Sequence, residues 1–446
     1  MPSGKAGTRQ LVLTLLTVSV LAVCALASRG VLADQLTAVI ALCVVQFALV
    51  AWIACDRAFD ALTLRQVLGA VVVLGFFGML SQPLLEDDHF RYLWDGYITA
   101  TTGRPFTHAP AHYFDNNTVP LAMREVLNGI NNPEIPTVYG PALQMLFAVG
   151  YWIAPAELWP LKAMLLPATV AMAVLLHAAG VKPRWLMLLA LHPLIIKESV
   201  NTAHPDLLIG VTLLAAVLTW RRGHYGYGAA LAGVAAAMKL SAIAVLPLFF
   251  IAHNGRWNTR AAMTAALTLA VLYAPYLVGL AGAEGRGLVA FGEQWTFNPL
   301  LFKALAATLG DKPARVASFA LFAALWLFVV CQWIKRLRHL HNPIFATPVN
   351  TLPLPPVVAI LLAMLLLSPV VNPWYWLWLL PLALLDISIL AWAAASASML
   401  AYAHVVEQVL AQSAITTYAV PLWATAAQGL VILATIVFRF RRNAAV

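Results

Sequence analysis

Apolar runs about as long as a bilayer is thick recur from one end of this chain to the other, and nothing else in it constrains the fold as tightly. Leu11–Ser28, Leu36–Cys55 and Gln66–Leu85 come first. A polar segment, residues 86–136, follows. Then come Tyr139–Ala154, Leu158–Ala179, Trp185–Ile196, Asp206–Trp220, Tyr227–Lys239, Ser241–Ala252 and Ala261–Gly282. Ala314–Ile334, Leu354–Pro369, Trp374–Leu385, Ser388–Glu407 and Tyr418–Phe438 complete the series. Of 446 residues, 62% are hydrophobic and 10% charged, and the mean hydropathy is +0.83. A soluble domain carries about 25% charged residues. In hydrocarbon every backbone polar group must be satisfied internally, which leaves helices and closed barrels. Barrel strands alternate apolar and polar positions, and these runs do not. The expected fold is an all-α polytopic membrane protein of about 12–14 transmembrane helices. We expect one membrane domain over residues 1–446, with an outer loop at 86–136 and an interfacial or re-entrant helix at 139–154.

Charge sets the orientation. The net charge is +9, but the basic residues are scattered between apolar runs, so no nucleic-acid surface is indicated. With the N-terminus inside and residues 139–154 not crossing, one side collects Lys5, Arg9, Arg57, Arg65, Lys182, Arg184, Arg221, Arg222, Arg256, Arg260, Lys335, Arg336, Arg338, Arg439, Arg441 and Arg442. The acids on that side are Asp56, Asp60 and Asp386. This asymmetry follows the positive-inside rule. It predicts cytoplasmic termini and an acidic loop on the far side. Lys5 and Arg9 before Leu11–Ala27 also resemble a signal peptide. A second run follows closely, so an uncleaved first span is expected. Cys24, Cys43, Cys55 and Cys331 lie within or at the ends of apolar runs without metal or redox spacing, and we read them as packing residues.

The chemistry concentrates where the third run ends, in Glu86-Asp87-Asp88-His89-Phe90-Arg91-Tyr92-Leu93-Trp94-Asp95-Gly96. On a helix, Asp88, Arg91, Tyr92 and Asp95 share one face. Three adjacent carboxylates repel one another, so each needs a partner, a metal or a raised pKa. A solvated turn paired with Arg91 is the bland alternative. Cations for an anionic partner are Lys197, Lys239, His204, Arg91 and Arg104. Lys239 sits inside the long run Tyr227–Ala252, where a charge is costly unless the run breaks at Lys239-Leu240-Ser241. A snorkelling lysine is the alternative. Asn201-Thr202-Ala203-His204-Pro205-Asp206 is a polar break that either lines a site or caps a helix. His192 and His204 have no HxxxH pairing. Trp374 could stack a sugar ring or belong to an interfacial aromatic belt.

The acidic stretch, with Gly103-Arg104-Pro105-Phe106 after it, resembles the first outer loop of the GT-C glycosyltransferases, and within them bacterial mannosyltransferase-like proteins. Thr137-Val138-Tyr139-Gly140-Pro141 and Ser368-Pro369-Val370-Val371-Asn372-Pro373-Trp374-Tyr375 resemble further segments of that family. The resemblance implies a GT-C-like bundle whose outer loop contains short interfacial helices. It implies transfer of a hexose, mannose first, from a polyprenyl-phosphate donor to a lipid or glycan acceptor at the periplasmic face of a bacterial inner membrane. It places the catalytic base among Asp87, Asp88 and Glu86, with Asp87 first. It places donor-phosphate binding at Lys239, Arg91, Arg104, Lys197 and His204. Substrate-lining positions are His89, Tyr92, Asp95, Tyr139, Asn201, Asn372, Trp374 and Tyr375. No cofactor is implied; a divalent metal at Glu86, Asp87 and Asp88 is the alternative. Two spans precede the loop's own span, where the family plan has one. A transporter or lipid flippase is the competing class, since broken helices suit one. It predicts matched internal repeats, and none is visible. An assembly factor, the third class, would not depend on the acidic stretch.

Overall fold

The computed structural model describes residues 32–276, 292–293, 295–340, 353–385, 388–410 and 419–444. The expected first span, Leu11–Ser28, lies outside them. Helices follow in the order α1 Leu32–Cys55, α2 Leu64–Leu80, α3 Asp88–Thr102, α4 Leu121–Asn128, α5 Pro141–Ile153, α6 Trp159–Ala178, α7 Pro183–Ala190 and α8 Asp206–Arg221. Then come α9 Tyr225–Met238, α10 Thr259–Tyr273, α11 Leu301–Leu309, α12 Asp311–Leu340, α13 Val357–Leu367, α14 Ile389–Ala397 and α15 Leu422–Ala444. Among the described residues there is no β-strand, only two isolated bridges. The chain is an all-α polytopic membrane protein.

Among the described residues, Ala33–Ile53, Trp159–Ala178 and Asp311–Leu340 are long and apolar enough to cross a bilayer. A fourth crossing is available if the π-helical turn Ile195–Asn201 and α8, bent by 106°, count as one span. Several other apolar runs fold as short or broken helices. Ser241–Ala252 becomes two 3-10 turns, Leu240–Ala244 and Leu246–Phe250. Trp374–Leu385 opens as the 3-10 turn Pro373–Trp378. Ser388–Glu407 passes from α14 into the 3-10 turn Ser398–Val405. The helix α5 has 13 residues, about 20 Å of rise, against a hydrocarbon core of about 30 Å.

Local chemistry explains the ends. Thr63 and Gln66 form a reciprocal capping box that starts α2, satisfying two otherwise orphaned donors. Asn258 accepts from the Ala261 N–H to start α10. The helix α9 stops at Lys239, whose backbone is extended at φ −149°, ψ 125°. The lysine is therefore at a break rather than in mid-helix, and it is half-buried.

The chain divides into two compact units. The first combines residues up to His89 with Leu158–Leu208 and Asn372 onward. In it α2 packs on α6 and on the π turn. Gly78 makes this possible, since a Cβ there would collide with the Val200 side chain and carbonyl. The second unit combines Phe90–Glu157 with Ile209–Val371. There α9 packs on α10, and α12 on α11 and α13. A Cβ on Gly140 would strike the carbonyl of Ala237, and the Gly140 N–H donates to the Met238 carbonyl at 2.9 Å.

Candidate active site

In the first unit the acidic stretch is held by its backbone. The buried Lys162, on α6, donates to the carbonyls of Gly78 at 2.8 Å and Ser81 at 2.6 Å, tying down the C-terminal end of α2. Asn201 donates to Ser81 Oγ at 2.9 Å and to the Gln82 carbonyl at 2.7 Å, and its Oδ1 accepts from the Leu84 N–H at 2.9 Å. Gln35 Oε1 accepts from the Leu85 N–H at 3.1 Å. Leu85 itself takes a left-handed backbone, φ 56°, uncommon for a branched residue. After this turn come Glu86 and Asp87, and Asp88 begins α3. A carboxylate in the first turn of a helix is favoured by the N–H groups exposed there.

The partner element is the π turn. Its Thr202 N–H reaches back five residues to the Lys197 carbonyl at 3.0 Å, and such turns recur at functional sites. Lys197 and Glu198 are both 0% exposed. Lys197 Nζ donates to Glu86 Oε1 at 3.2 Å, Glu198 Oε2 at 3.4 Å and the Tyr402 hydroxyl at 2.5 Å. The Tyr402 oxygen also lies 2.7 Å from Glu86 Oε1 and 2.5 Å from Glu198 Oε1. A phenol has one proton to give, so Tyr402 donates to one of the two carboxyls at a time. Burial pushes the Glu86 carboxyl up to about 8, and Glu198 and Asp88 add to the rise against the pull of Lys197 and Tyr402.

Beyond the π turn the chain reverses through Ala203, φ 61°, before α8. His204, wholly buried, stacks on Trp374 with ring centroids 4.0 Å apart and planes 13° from parallel. Its Nε2 is 3.6 Å from Glu198 Oε2. Trp378 Nε1 donates to buried Asp206 Oδ1 at 2.5 Å, and Tyr375 stacks on Trp378 at 4.7 Å. Asn372 is half-buried beside them in sequence. One ligand atom each from Glu86, Asp88 and His204 lie within 4.8 Å of one another, so these three residues could hold a metal ion. Asp87 and His89 are half-buried. Burial, with nearby Lys162 acting the same way, lowers the His89 imidazole to about 4.

The other expected positions belong to the second unit. Arg91 donates to the carbonyls of Ile135 at 2.9 Å and Asn132 at 3.0 Å, so its fork is engaged by loop backbone. Tyr92 stacks on Phe147 at 5.2 Å and meets Tyr139 edge-on at 5.3 Å. Asp95 is buried and accepts from Thr137 Oγ1 at 2.5 Å and Gln144 Nε2 at 3.0 Å. Burial raises its pKa, opposed by Arg91 and these two donors. The Lys239 ammonium lies 5.9 Å from the Tyr139 ring centre, within the range of a cation–π contact. Arg104 is exposed.

Lys197, His204 and the acids stand out in the sequence; Lys162, Glu198, Tyr402 and Trp378 do not, and only the fold brings them to the site. For Lys162 a signal existed: a lysine inside an apolar run is costly enough to demand a partner. Glu198 stands next to a selected lysine. Tyr402 and Trp378 are aromatics in aromatic-rich runs, and no local pattern distinguishes them.

Residues 4–255, more than half of the chain, match a protein-family model described as alpha-(1->6)-mannopyranosyltransferase, N-terminal domain. The matched region contains the acidic stretch, the π turn and Lys239; Trp374, Trp378 and Tyr402 lie beyond it. No curated protein and no solved structure matches the chain.

Proposed function

The chain belongs to the alpha-(1->6)-mannopyranosyltransferase family, and on that premise we propose that it moves mannose from a polyprenyl-phosphate donor to a lipid or glycan acceptor at the periplasmic face of a bacterial inner membrane. It is a mannosyltransferase-type glycosyltransferase of the membrane. The observation that carries this proposal is the acidic stretch: Glu86, Asp87 and Asp88 sit on a pinned turn after α2, beside Lys197 and His204.

In the proposed step the acceptor hydroxyl oxygen attacks the anomeric carbon of the donor sugar. The bond from that carbon to the phosphate oxygen breaks, and the phosphate leaves with the electron pair. The hydroxyl proton passes to a carboxylate, Asp87 or Asp88. A base within hydrogen-bond reach of the proton it takes is the first requirement of such catalysis, and the configuration at the sugar inverts. Glu86 is the less suitable base, because its Oε1 already accepts from Lys197 and Tyr402. Leaving-group charge calls for fixed cations. Lys197 and His204, both in the first unit with the acidic turn, supply that character. Arg91 is engaged by two carbonyls, which favours a scaffold task for it.

The test is transfer from polyprenyl-phosphate mannose by the purified full chain. Replacing Asp87 and Asp88 together by Asn should abolish transfer while the protein still folds and inserts. Undiminished transfer by that double variant would sink the reading.

A further inference from the structure

Glu86 and Asp88 come from the turn after α2 and the start of α3, whereas His204 comes from the break after the π turn, more than a hundred residues later. The fold nonetheless brings one ligand atom of each within 4.8 Å of the other two. Atoms bound at about 2.0–2.2 Å from a common zinc ion stand about 3–4.4 Å from one another. The triad therefore needs only side-chain adjustment to share an ion. We infer that Glu86, Asp88 and His204 bind a divalent cation of the Mn²⁺ or Zn²⁺ class. This rests on reading the acidic stretch as the transfer site.

Three further observations support a built site. The His204 ring is wholly buried and clamped against Trp374, 4.0 Å away and nearly parallel, so its orientation is set before any ligand arrives. A carboxylate stands beside it, Glu198 Oε2 at 3.6 Å from Nε2, an ion-pair distance rather than a hydrogen bond. Outer carboxylates of that kind orient metal-bound imidazoles and raise their basicity. Finally, Lys197 is a single ammonium shared between Glu86 and Glu198 at 3.2 and 3.4 Å, before the charge of Asp88 is counted. Lys197 and Tyr402 both engage Oε1 of Glu86, and its Oε2 can turn to a cation. Two carboxylates with one imidazole favour Mn²⁺ or Zn²⁺, since an imidazole ligand is poorly suited to Ca²⁺ or Mg²⁺.

The assignment divides the labour between neighbouring aspartates. Asp88 becomes a ligand and Asp87 the base. His204 would hold the ion, and a bound ion would supply positive charge toward the departing phosphate.

The experiment uses the chelator-stripped full chain in detergent. Mn²⁺ binding is followed by loss of the free-ion paramagnetic resonance signal, and Zn²⁺ binding by quenching of tryptophan fluorescence. About one ion per chain is expected. His204→Ala and Asp88→Asn should each weaken binding at least about tenfold, and Glu198→Gln by about tenfold through the ligand it orients. His112, whose ring stacks on His108 at 4.1 Å, lies away from the triad in sequence, and His112→Ala should leave binding unchanged. If His204→Ala fails to fold, isosteric Glu86→Gln carries the comparison. No binding, or binding that survives Asp88→Asn and Glu86→Gln, overturns the site. Transfer is measured in parallel. Full transfer by metal-free protein removes the cation and leaves the mannosyltransferase reading standing. A bound ion without transfer under any condition removes the transfer reading and keeps the site.

Discussion

Replacing Asn201 tests whether the acidic stretch is positioned by its backbone. Asn201 is 2% exposed and uses both ends of its amide: Nδ2 toward Ser81 Oγ and the Gln82 carbonyl, Oδ1 toward the Leu84 N–H. A net contribution of about 1 kcal/mol per hydrogen bond puts Asn201→Ala at roughly 3 kcal/mol. The Leu84 N–H loses its partner in a buried place, which raises the upper end to about 5 kcal/mol. Asn201→Asp is the sharper probe. It keeps an acceptor for Leu84 but turns contacts of 2.9 and 2.7 Å into oxygen facing oxygen, so it should cost at least as much as Ala. Equilibrium unfolding in mixed detergent micelles measures both, with transfer kinetics alongside. Stability within about 0.5 kcal/mol of wild type in both variants would refute the pinning argument. A raised KM at unchanged stability would return Asn201 to the sugar-lining role expected from sequence.

Two further substitutions probe the second unit. Gly140→Ala should cost about 1–3 kcal/mol, because its Cβ meets the Ala237 carbonyl, backbone that cannot swing aside; an unfolding midpoint equal to wild type would contradict the close approach. Asp95→Asn should flatten the pH dependence of stability. Burial raises the Asp95 pKa, so its contribution is full below the ordinary carboxylate value and is lost as pH rises through the folded value. The variant should gain on wild type as pH increases, and parallel stability curves would count against a raised pKa.

The helical framework was legible because hydrophobic run length is a local property. The run Leu158–Ala179 became Trp159–Ala178, and Asp206–Trp220 became Asp206–Arg221. The broken segments were less legible. Nothing in the composition of Ser388–Glu407 announces that it changes from α to 3-10 geometry at Ser398. At the candidate site, Asp88, Arg91, Tyr92 and Asp95 were readable as one helical face because i, i+3, i+4 and i+7 need no tertiary knowledge. The partnership of Glu86 with Lys197 and Tyr402 was not. It joins residues 111 and 316 positions apart, and only packing brings them together.

The π turn carries a consequence for how this region can change through descent. In an α-helix successive residues are rotated by about 100°, so neighbours such as Lys197 and Glu198 would point well apart. The wider turn reduces that rotation, and both side chains reach Tyr402. A π turn is in effect one extra residue accommodated within a helix. Excising a single residue from Ile195–Asn201 would restore ordinary periodicity and swing the preceding side chains relative to His204 and Asp206. Spacing here is thus coupled to side-chain direction. A relative one residue shorter would need a different group in place of Lys197 or Glu198, and a sequence comparison that places a gap in this segment should be read as a rotation of the helix rather than a trimmed loop.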